Sequence, residues 1–424
     1  MDTIFALSSG APPAGIAVLR ITGPAAPDAL KALAGRLPDP RKATRAILRD
    51  AGGAMLDDAL ILLFPGPASV TGEDVAEVHV HGGRAIVAAV ERTLAALPGL
   101  RRAEAGEFTR RAFANGRIDL AEAEGLADLL SAETELQRRS AIRLAGGAFS
   151  AQVRQWREDV LRLSAEIEAV LDFEDEDDVS ALPADFAERA ARLQSALHAA
   201  ATAPRARVLR EGYRVALAGP PNAGKSTLFN ALVESEAAIT APVAGTTRDI
   251  ITQPVAIAGV PFLFVDMAGL RDASGDIVEE IGIARAREEI GRADLVLWLG
   301  AEGEGPAGSW EIAAQIDRPE AAIKQRPDFR VSAVTGEGLA ELRHALLQRG
   351  TAAMPRPGEN AVNDRQATLL AAAAEALIEI HDLHDPLLMA ESLRQARRHF
   401  DALLGLTGTE DVLDALFGRF CIGK

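Results

Sequence analysis

The segment GPPNAGKST at residues 219–227 constrains this 424-residue chain more than any other stretch. It matches the pattern G-x-x-x-x-G-K-[ST], follows the apolar run YRVALAG and precedes the helix-like TLFNALV. In that context the glycines let the backbone wrap around phosphates, so that amides and a helix N-terminus face the anion. Lys225 is predicted to reach the β- and γ-phosphates, and the Ser226 hydroxyl is predicted to bind Mg²⁺. The alternative is a chance glycine-rich turn in a chain with 37 glycines.

Composition makes this motif more informative. The chain contains five lysines among its 45 basic residues, so a lysine inside a motif stands out. The net charge of −16 argues against a surface that clamps nucleic acid as a whole, because duplex binding needs a basic face. The same balance is compatible with a local basic patch or with a basic partner protein.

Two further segments supply the other parts of a nucleotide-hydrolysing site, in the expected order. GTTRD places Thr247 about twenty residues after the phosphate loop, where a switch threonine closes over the γ-phosphate and Mg²⁺. The run FLFV leads to Asp266, which is predicted to hold Mg²⁺ through water, and the Gly269 amide is positioned to bind the γ-phosphate. Leu270 stands where a Ras-like enzyme has the glutamine that orients the attacking water. Either the protein does not hydrolyse nucleotide, or another residue holds that water.

Recognition of the base has the weakest support in the sequence. A G domain reads guanine with Asn-Lys-x-Asp, and the chain contains no such tetrapeptide. AQID is the best substitute: Asp317 keeps the carboxylate, but Ala314 cannot bond the purine edge and Gln315 replaces the lysine. Each lost hydrogen bond is expected to weaken binding by about 0.5–1.5 kcal/mol. The segment SAVTGEGL supplies the loop that backs the base, through Ser332 and Ala333. The alternative is that Asp317 is an ordinary surface aspartate with no contact to the base.

The order of apolar patterns predicts a multidomain protein of α+β and α/β type. Residues 1–117 mix short β-rich runs, such as GIAVLRITG and EVHVHGG, with helix patterns. Residues 118–206 and 353–424 are rich in alanine and helical in pattern. Residues 207–352 alternate apolar, β-leaning runs with helical segments, which predicts a parallel sheet buried on both faces. The α/β domain is therefore expected to be inserted into a helical domain that is split in sequence.

Other features predict a cytoplasmic protein that does not enter the membrane. The single cysteine, Cys421, excludes an intramolecular disulfide, which fits a reducing compartment. The N-terminus MDTIFALSSGAPP lacks the basic and apolar regions of a signal peptide. No apolar stretch reaches the roughly 18–20 residues of a membrane span. The acidic run DFEDEDD at 172–178 is interpreted as a solvated loop rather than a metal site.

Several motifs together resemble the MnmE (TrmE) family of tRNA-modification GTPases. The likeness is carried by GPPNAGKSTLFNAL, VAGTTRD, AGLR and EEIGIARA, by EAGEFTRRAFANGRIDLAEAEGLADLL, and by the terminal FCIGK. It covers nearly the whole chain. The resemblance implies a folate-binding N-terminal domain that dimerises (1–117), a helical domain in two parts (118–206 and 353–424), and an inserted P-loop, Ras-like G domain (207–352).

The resemblance also offers a substitute for the missing glutamine. In this family a glutamate farther along switch II orients the water, and the matching position is Glu279. A carboxylate suits the task because it accepts a hydrogen bond from water and polarises it. The family replaces the arginine finger with K⁺, and two G domains close across the site. The implied ligands are Ser226 and Thr247 for Mg²⁺, and Asn222, Ala241, Val243 and Thr246 for K⁺.

The nucleotide site implied by motif and resemblance together extends over the phosphate loop, both switches and the base loop. It comprises Asn222, Ala223, Gly224, Lys225, Ser226, Thr227, Ala241, Pro242, Val243, Ala244, Gly245, Thr246, Thr247, Asp266, Met267, Ala268, Gly269, Asp317, Ser332 and Ala333.

The positions that match the family's folate site are Arg20, Glu77, Arg117 and Lys424. Arg117 stands where the family often has lysine, which keeps the charge but changes the geometry. A folate carries a glutamate tail and a pterin rich in donors and acceptors, so cationic groups plus one carboxylate suit it chemically. Taken singly, each of these residues would be interpreted as a surface charge. Cys421 is either a reactive thiol near that site or a passive tail residue.

The resemblance implies a K⁺-stimulated GTPase that acts with an FAD-dependent partner of the MnmG (GidA) type, as a heterotetramer built on a homodimer. The implied reaction adds an aminomethyl-type group (carboxymethylaminomethyl) at C5 of the tRNA wobble uridine. It uses GTP and a one-carbon unit from 5,10-methylene- or 5-formyl-tetrahydrofolate. The strength of the guanine preference, the tRNAs modified and the amine donor, ammonium or glycine, stay open.

Two other classes of function are compatible with the motifs. One is a ribosome-assembly GTPase of the Era/Der type, which would carry a second phosphate loop or a basic G-x-x-G loop; neither is present in the sequence. The other is a nucleotide-binding scaffold with weak or no GTP hydrolysis, which the missing Asn-Lys-x-Asp favours.

Overall fold

A computed structural model describes residues 2–172, 182–202, 206–234, 251–267, 288–318, 324–355, 361–378, 380, 385–407 and 410–423. The chain divides into two compact units. The first contains residues 1–127, 144–155 and 400–424, and the second contains residues 128–143 and 156–399.

The first unit contains a six-stranded sheet in the order β3-β4-β5-β2-β1-β6. Neighbouring strands are antiparallel except β1 and β6. Its strands alternate buried and more exposed residues, as expected of a sheet with one covered face. Helices α1 (Ala26–Ala34) and α2 (Arg84–Ala95) contribute to the core on that face. The strands are β1 (Thr3–Leu7), β2 (Ile16–Thr22), β3 (Thr44–Arg49), β4 (Met55–Phe64), β5 (Val75–His81) and β6 (Leu100–Arg102).

The second unit contains another six-stranded sheet, in the order β12-β11-β10-β7-β9-β8. All neighbours are parallel except β8, which pairs antiparallel with β9 at one edge. β7 and β9 are buried over nearly their whole length, as expected of central strands of a parallel sheet. The strands are β7 (Tyr213–Ala218), β8 (Ile251–Ile257), β9 (Val260–Asp266), β10 (Leu295–Trp298), β11 (Trp310–Ala313) and β12 (Phe329–Arg330).

The sheet in the second unit departs from the predicted parallel sheet in its number of strands. At one edge it has β8, which the apolar runs did not predict and which is antiparallel to β9. A helical segment was expected between the runs ADLVLWLG and DFRVSA, but the structure has an additional strand, β11, there. Residues 299–309, which link β10 to β11 and are all described, contain no helix. The last strand is also limited to Phe329–Arg330.

The other regular elements that the structure describes are helices. α9 begins at Lys225, directly after the phosphate loop, and α10 follows the loop that contains Ser332 and Ala333. In the part of the chain that the structure describes, no helix is both long and apolar enough to cross a bilayer. The helices are α1 (Ala26–Ala34), α2 (Arg84–Ala95), α3 (Glu107–Ala114), α4 (Leu120–Leu130), α5 (Glu135–Ala145), α6 (Ala148–Asp172), α7 (Phe186–Thr202), α8 (Ala206–Glu211), α9 (Lys225–Glu234), α10 (Leu339–Ala353), α11 (Asp364–Ile378), α12 (Pro386–Leu404) and α13 (Glu410–Phe417).

Candidate nucleotide-binding site

The phosphate loop joins the end of β7 to the start of α9 and depends on backbone conformations that favour glycine. Gly219 has φ 149° and Gly224 has φ 89°. A Cβ atom at Gly219 would lie 3.0 Å from the Gly300 amide nitrogen, so a side chain here would crowd the backbone that follows β10. Asn222 also adopts a positive φ, 61°. The sequence therefore folds here into a tight turn ahead of a helix N-terminus, the arrangement that binds phosphate.

Lys225 is folded back across this loop. Its side chain is buried, and its ammonium group donates to the carbonyl oxygens of Gly219 at 3.0 Å and Pro220 at 2.8 Å. Ser226 and Thr227, on the first turn of α9, are exposed. A cation held inside the loop and hydroxyl groups at its rim are the groups that contact polyphosphate and its metal ion.

Asp266 ends β9, which lies beside β7 in the sheet. It pairs in register with Leu217, one residue before the end of β7. Because the carboxyl ends of parallel strands meet at one edge, the carboxylate and the phosphate loop lie at the same edge of the sheet. Asp266 is buried, whereas the next residue, Met267, packs in an apolar cluster with Val265 and Val296.

The donor set fits Mg²⁺. Hydroxyl and carboxylate oxygens such as those of Ser226 and Asp266 are the hard ligands that Mg²⁺ takes, together with phosphate and water oxygens. The third expected group, Thr247, lies outside the described residues. For K⁺ the structure describes only Asn222, which is exposed; Ala241, Val243 and Thr246 lie outside the described residues.

The base loop, residues 314–318, follows β11. Its aspartate, Asp317, is held by the loop that contains Ser332. Ser332, fully buried, donates from Oγ to Asp317 Oδ1 at 2.5 Å. The Thr335 amide donates to the same Oγ at 3.1 Å, so the hydroxyl proton is directed towards the carboxylate. A cavity opens beside this pair, with walls formed by Thr227, Ala314, Gln315, Asp317, Ala333 and Val334.

The structure thus brings the phosphate loop and the base loop together around one cavity. Gln315 is the contact that the sequence did not reveal: its side chain lies over Gly224, and its Nε2 donates to the Asn222 carbonyl oxygen at 3.4 Å. The sequence signal was the glutamine at the lysine position of the tetrapeptide. The predicted residues outside the described part are Glu279, Leu270, Pro242, Ala244, Gly245, Ala268 and Gly269, together with the switch residues named above.

The first unit holds two of the predicted folate residues close together. Arg20 and Glu77 face each other on β2 and β5, with Arg20 Nη2 2.8 Å from Glu77 Oε1. His79 Nε2 lies 3.3 Å from Glu77 Oε2, and the ring of Phe108 lies under the guanidinium. This guanidinium–carboxylate pair suits the donors and acceptors of a pterin.

Of the other two predicted folate residues, the structure describes only Arg117, which has no hydrogen bond or ion pair with Arg20 or Glu77. Arg117 is exposed and lies beside Gly72, and no described residue forms an ion pair or side-chain hydrogen bond with it. Lys424 lies outside the described residues. The thiol of Cys421 is exposed.

Two family profiles match this chain, and together they cover nearly all of it. The family profile described as "GTP-binding protein TrmE N-terminus" matches residues 3–117, and the profile "MnmE helical domain" matches residues 120–421. Three proteins named tRNA modification GTPase MnmE are similar over the full chain. The protein from Novosphingobium aromaticivorans is 61% identical, with 100% of both chains covered. That from Erythrobacter litoralis is 58% identical, again with 100% of both covered. That from Rhizorhabdus wittichii is 56% identical, covering 100% of this chain and 97% of the relative. The chain therefore belongs to the MnmE (TrmE) family of tRNA modification GTPases.

Proposed function

We propose that this protein hydrolyses GTP in order to drive modification of the wobble uridine of tRNA at C5. One observation carries the nucleotide half of the proposal: Lys225, Asp266 and the Asp317–Ser332 pair lie around one edge of a single sheet. These groups supply a cradle for phosphates, a metal-binding carboxylate and an acceptor for guanine. The family names of the relatives support the tRNA half.

In the proposed reaction Glu279 accepts a hydrogen bond from a water molecule and orients it towards the γ-phosphorus. The water oxygen bonds to the γ-phosphorus as the bond between that phosphorus and the β–γ bridging oxygen breaks. GDP and inorganic phosphate leave, and a proton of the water passes to the phosphate. Lys225 and the amides of the phosphate loop hold the oxygens on which charge develops. Bound K⁺, with Asn222 as a ligand, would supply positive charge where other GTPases use an arginine.

The test is nucleotide turnover by the purified protein with GTP, ATP and XTP, each in K⁺ and in Na⁺. GTP hydrolysis that is faster in K⁺ than in Na⁺ and lost in Glu279→Ala would support the proposal. Glu304→Ala, an exposed glutamate in the loop after β10, is the matched control and should leave turnover unchanged. Absence of turnover with every nucleotide would favour the alternative of a nucleotide-binding scaffold that does not hydrolyse GTP. Leu270, in place of the glutamine, and Ala314, in place of the asparagine, are the residues that support that alternative.

For the tRNA reaction the proposal also includes a partner protein and a folate cofactor. We propose a homodimer that joins an FAD-dependent MnmG (GidA)-type protein in the cytoplasm and adds a carboxymethylaminomethyl group. Residues 1–117 would bind a reduced folate and dimerise, residues 207–352 would be the G domain, and the helical parts 118–206 and 353–424 would connect them. Bound folate would supply the one-carbon unit, while Arg20 and Glu77 hold the pterin or tail.

Folate binding is measured by titration with 5-formyl-tetrahydrofolate. Arg20→Ala should weaken binding at least tenfold, because it removes a charge and leaves Glu77 without its paired guanidinium. Arg45→Ala, which breaks an exposed ion pair with Asp58 on the same sheet, is the control. Equal affinity in both variants would argue against this site. Failure to bind an MnmG-type protein in either nucleotide state would argue against the partner.

A further inference from the structure

The base loop of this protein differs from that of an ordinary G domain in the groups it offers to the purine. Guanine presents acceptors at N7 and O6 on one edge, and donors at N1 and the 2-amino group on the other. Among the described residues, the side-chain donors that line the cavity are Thr227, Gln315 and Arg318. At position 314, where an asparagine amide would meet the N7 edge, there is a methyl group.

The side chain of Gln315 lines the cavity and lies against the phosphate loop. Its backbone is left-handed, with φ 58°, an uncommon conformation for a residue other than glycine. Its Nε2 and Cγ lie 3.1 and 3.2 Å from the position that a Cβ of Gly224 would occupy, so the side chain rests on that glycine. The amide also donates to the Asn222 carbonyl oxygen at 3.4 Å. One side chain thus connects the base loop to the loop that binds phosphate.

Asp317 is held independently of Gln315. Its Oδ1 accepts from Ser332, which the Thr335 amide orients, and its carboxylate lines the cavity. A fixed carboxylate of this kind accepts from N1 and the 2-amino group of guanine. It rejects a purine with an acceptor at those positions, since like polar groups would be left unpaired.

We propose that Asp317 is the only side chain by which this protein selects guanine. The purine N7 receives no hydrogen bond at position 314, because Ala314 has no donor in its side chain. Gln315 is a positioning residue, which fixes the distance between the base loop and the phosphate loop. The inference rests on the proposed function, because it takes a guanine nucleotide as the ligand of this cavity. It deepens that function by defining which purine nucleotides the protein accepts: 7-deaza analogues bind as guanine nucleotides do.

The first experiment compares GDP with 7-deaza-GDP by competition against a fluorescent GDP analogue, using the full-length protein with Mg²⁺ and K⁺. The two affinities should agree within about twofold. Ala314→Asn should tighten GDP about threefold to tenfold, the effect of one added hydrogen bond, and leave 7-deaza-GDP unchanged. Ala314→Leu, which has the shape of asparagine without a donor, should give no such difference and controls for volume.

The second experiment tests the positioning role of Gln315. IDP lacks the 2-amino group that Asp317 reads, so the ratio of GDP to IDP affinity reports how well the base meets the carboxylate. Gln315→Ala should lower that ratio about threefold or more, and Gln315→Lys, which can still donate to the Asn222 carbonyl, should restore it. If Gln315 only stabilised the fold, both affinities would fall by the same factor and the ratio would not change.

Several outcomes would overturn the inference. A tenfold preference of the unmodified protein for GDP over 7-deaza-GDP would show that N7 is read, and loss of that preference in Arg318→Ala would assign the contact to Arg318. An unchanged GDP to IDP ratio in Gln315→Ala would remove the positioning role. GDP binding without GTP hydrolysis would defeat the proposed function and leave this inference standing, whereas no binding of GDP would defeat both.

Discussion

Arg207 Nη2, in α8, lies 2.7 Å from Oδ1 of Asp294, the residue that precedes β10. The other carboxylate oxygen of Asp294 accepts from the Arg214 amide at 2.8 Å, and its own amide donates to the Arg214 carbonyl at 2.9 Å. The Tyr213 hydroxyl donates to the Asp294 carbonyl at 3.2 Å. One carboxylate therefore fastens the helix that leads into the second sheet onto two of its central strands.

We expect Asp294→Ala to destabilise the protein by about 1–3 kcal/mol, because it leaves a partly buried amide and a guanidinium without their acceptor. The measurement is urea unfolding followed by the fluorescence of the three tryptophans, two of which, Trp298 and Trp310, lie in the second sheet. Glu288→Ala breaks the exposed Arg292–Glu288 pair nearby and should change stability by no more than about 0.5 kcal/mol. Equal effects of the two substitutions would show that Asp294 contributes only a surface charge.

The second prediction concerns Lys225. Its ammonium group donates to two carbonyl oxygens of the phosphate loop, which hold it where the loop would bind a polyphosphate. Lys225→Ala should lower kcat/KM for GTP at least a hundredfold, because it removes charge stabilisation from the transferred phosphoryl group. Steady-state phosphate release measures the effect, with the exposed Lys31→Ala as the control. A loss below tenfold would mean that this lysine is not part of the reacting site.

The sequence predicted the parts of the fold that depend on local apolar pattern. YRVALA and VPFLFVD are strands because their continuous apolar runs are buried in a parallel sheet. β8 was missed because Pro254 and polar residues interrupt it, which an edge strand tolerates. β11 was missed because its sequence, WEIA, includes the charged Glu311 and only its last two residues are buried, so it forms no continuous apolar run.

Contacts between loops distant in sequence were the part of the site that could not be predicted. The Asp317–Ser332 hydrogen bond and the Gln315–Asn222 contact depend on how β7, β11 and β12 align in the sheet. No periodicity in the chain encodes that alignment. The pairing of Arg20 with Glu77 likewise follows from the register of β2 against β5, which the two strand patterns alone do not fix.

The third prediction concerns Asp317 and the specificity for the base. Asp317→Asn should weaken GTP binding at least tenfold and improve XTP binding, because xanthine carries a carbonyl where guanine has its 2-amino group. The amide of asparagine donates to that carbonyl, whereas a carboxylate repels it. Ser332→Ala should weaken GTP severalfold without improving XTP, since it loosens the carboxylate but keeps its charge. Competition binding with both nucleotides distinguishes the two variants, and unchanged selectivity in Asp317→Asn would show that this residue does not face the base.

The last prediction concerns the Asp57–His81 pair in the first sheet, which should make the stability of the protein depend on pH. Burial by itself raises the pKa of Asp57, but hydrogen bonds from the His81 amide at 2.7 Å and from its ring nitrogen at 2.8 Å outweigh it, and the pKa is lowered from 3.8. A carboxyl whose pKa is lower in the folded state stabilises the fold above its unfolded pKa, and this contribution disappears as the pH falls through the folded value. Asp57→Asn should therefore reduce the melting temperature at pH 6, and the difference from the unmodified protein should shrink as the pH falls below about 3.8. Asp39→Asn, at an exposed surface pair with Lys42, should show no comparable difference at either pH. A difference for Asp57→Asn that is the same at pH 6 and pH 3 would mean that packing of the side chain, rather than its charge, holds the pair together.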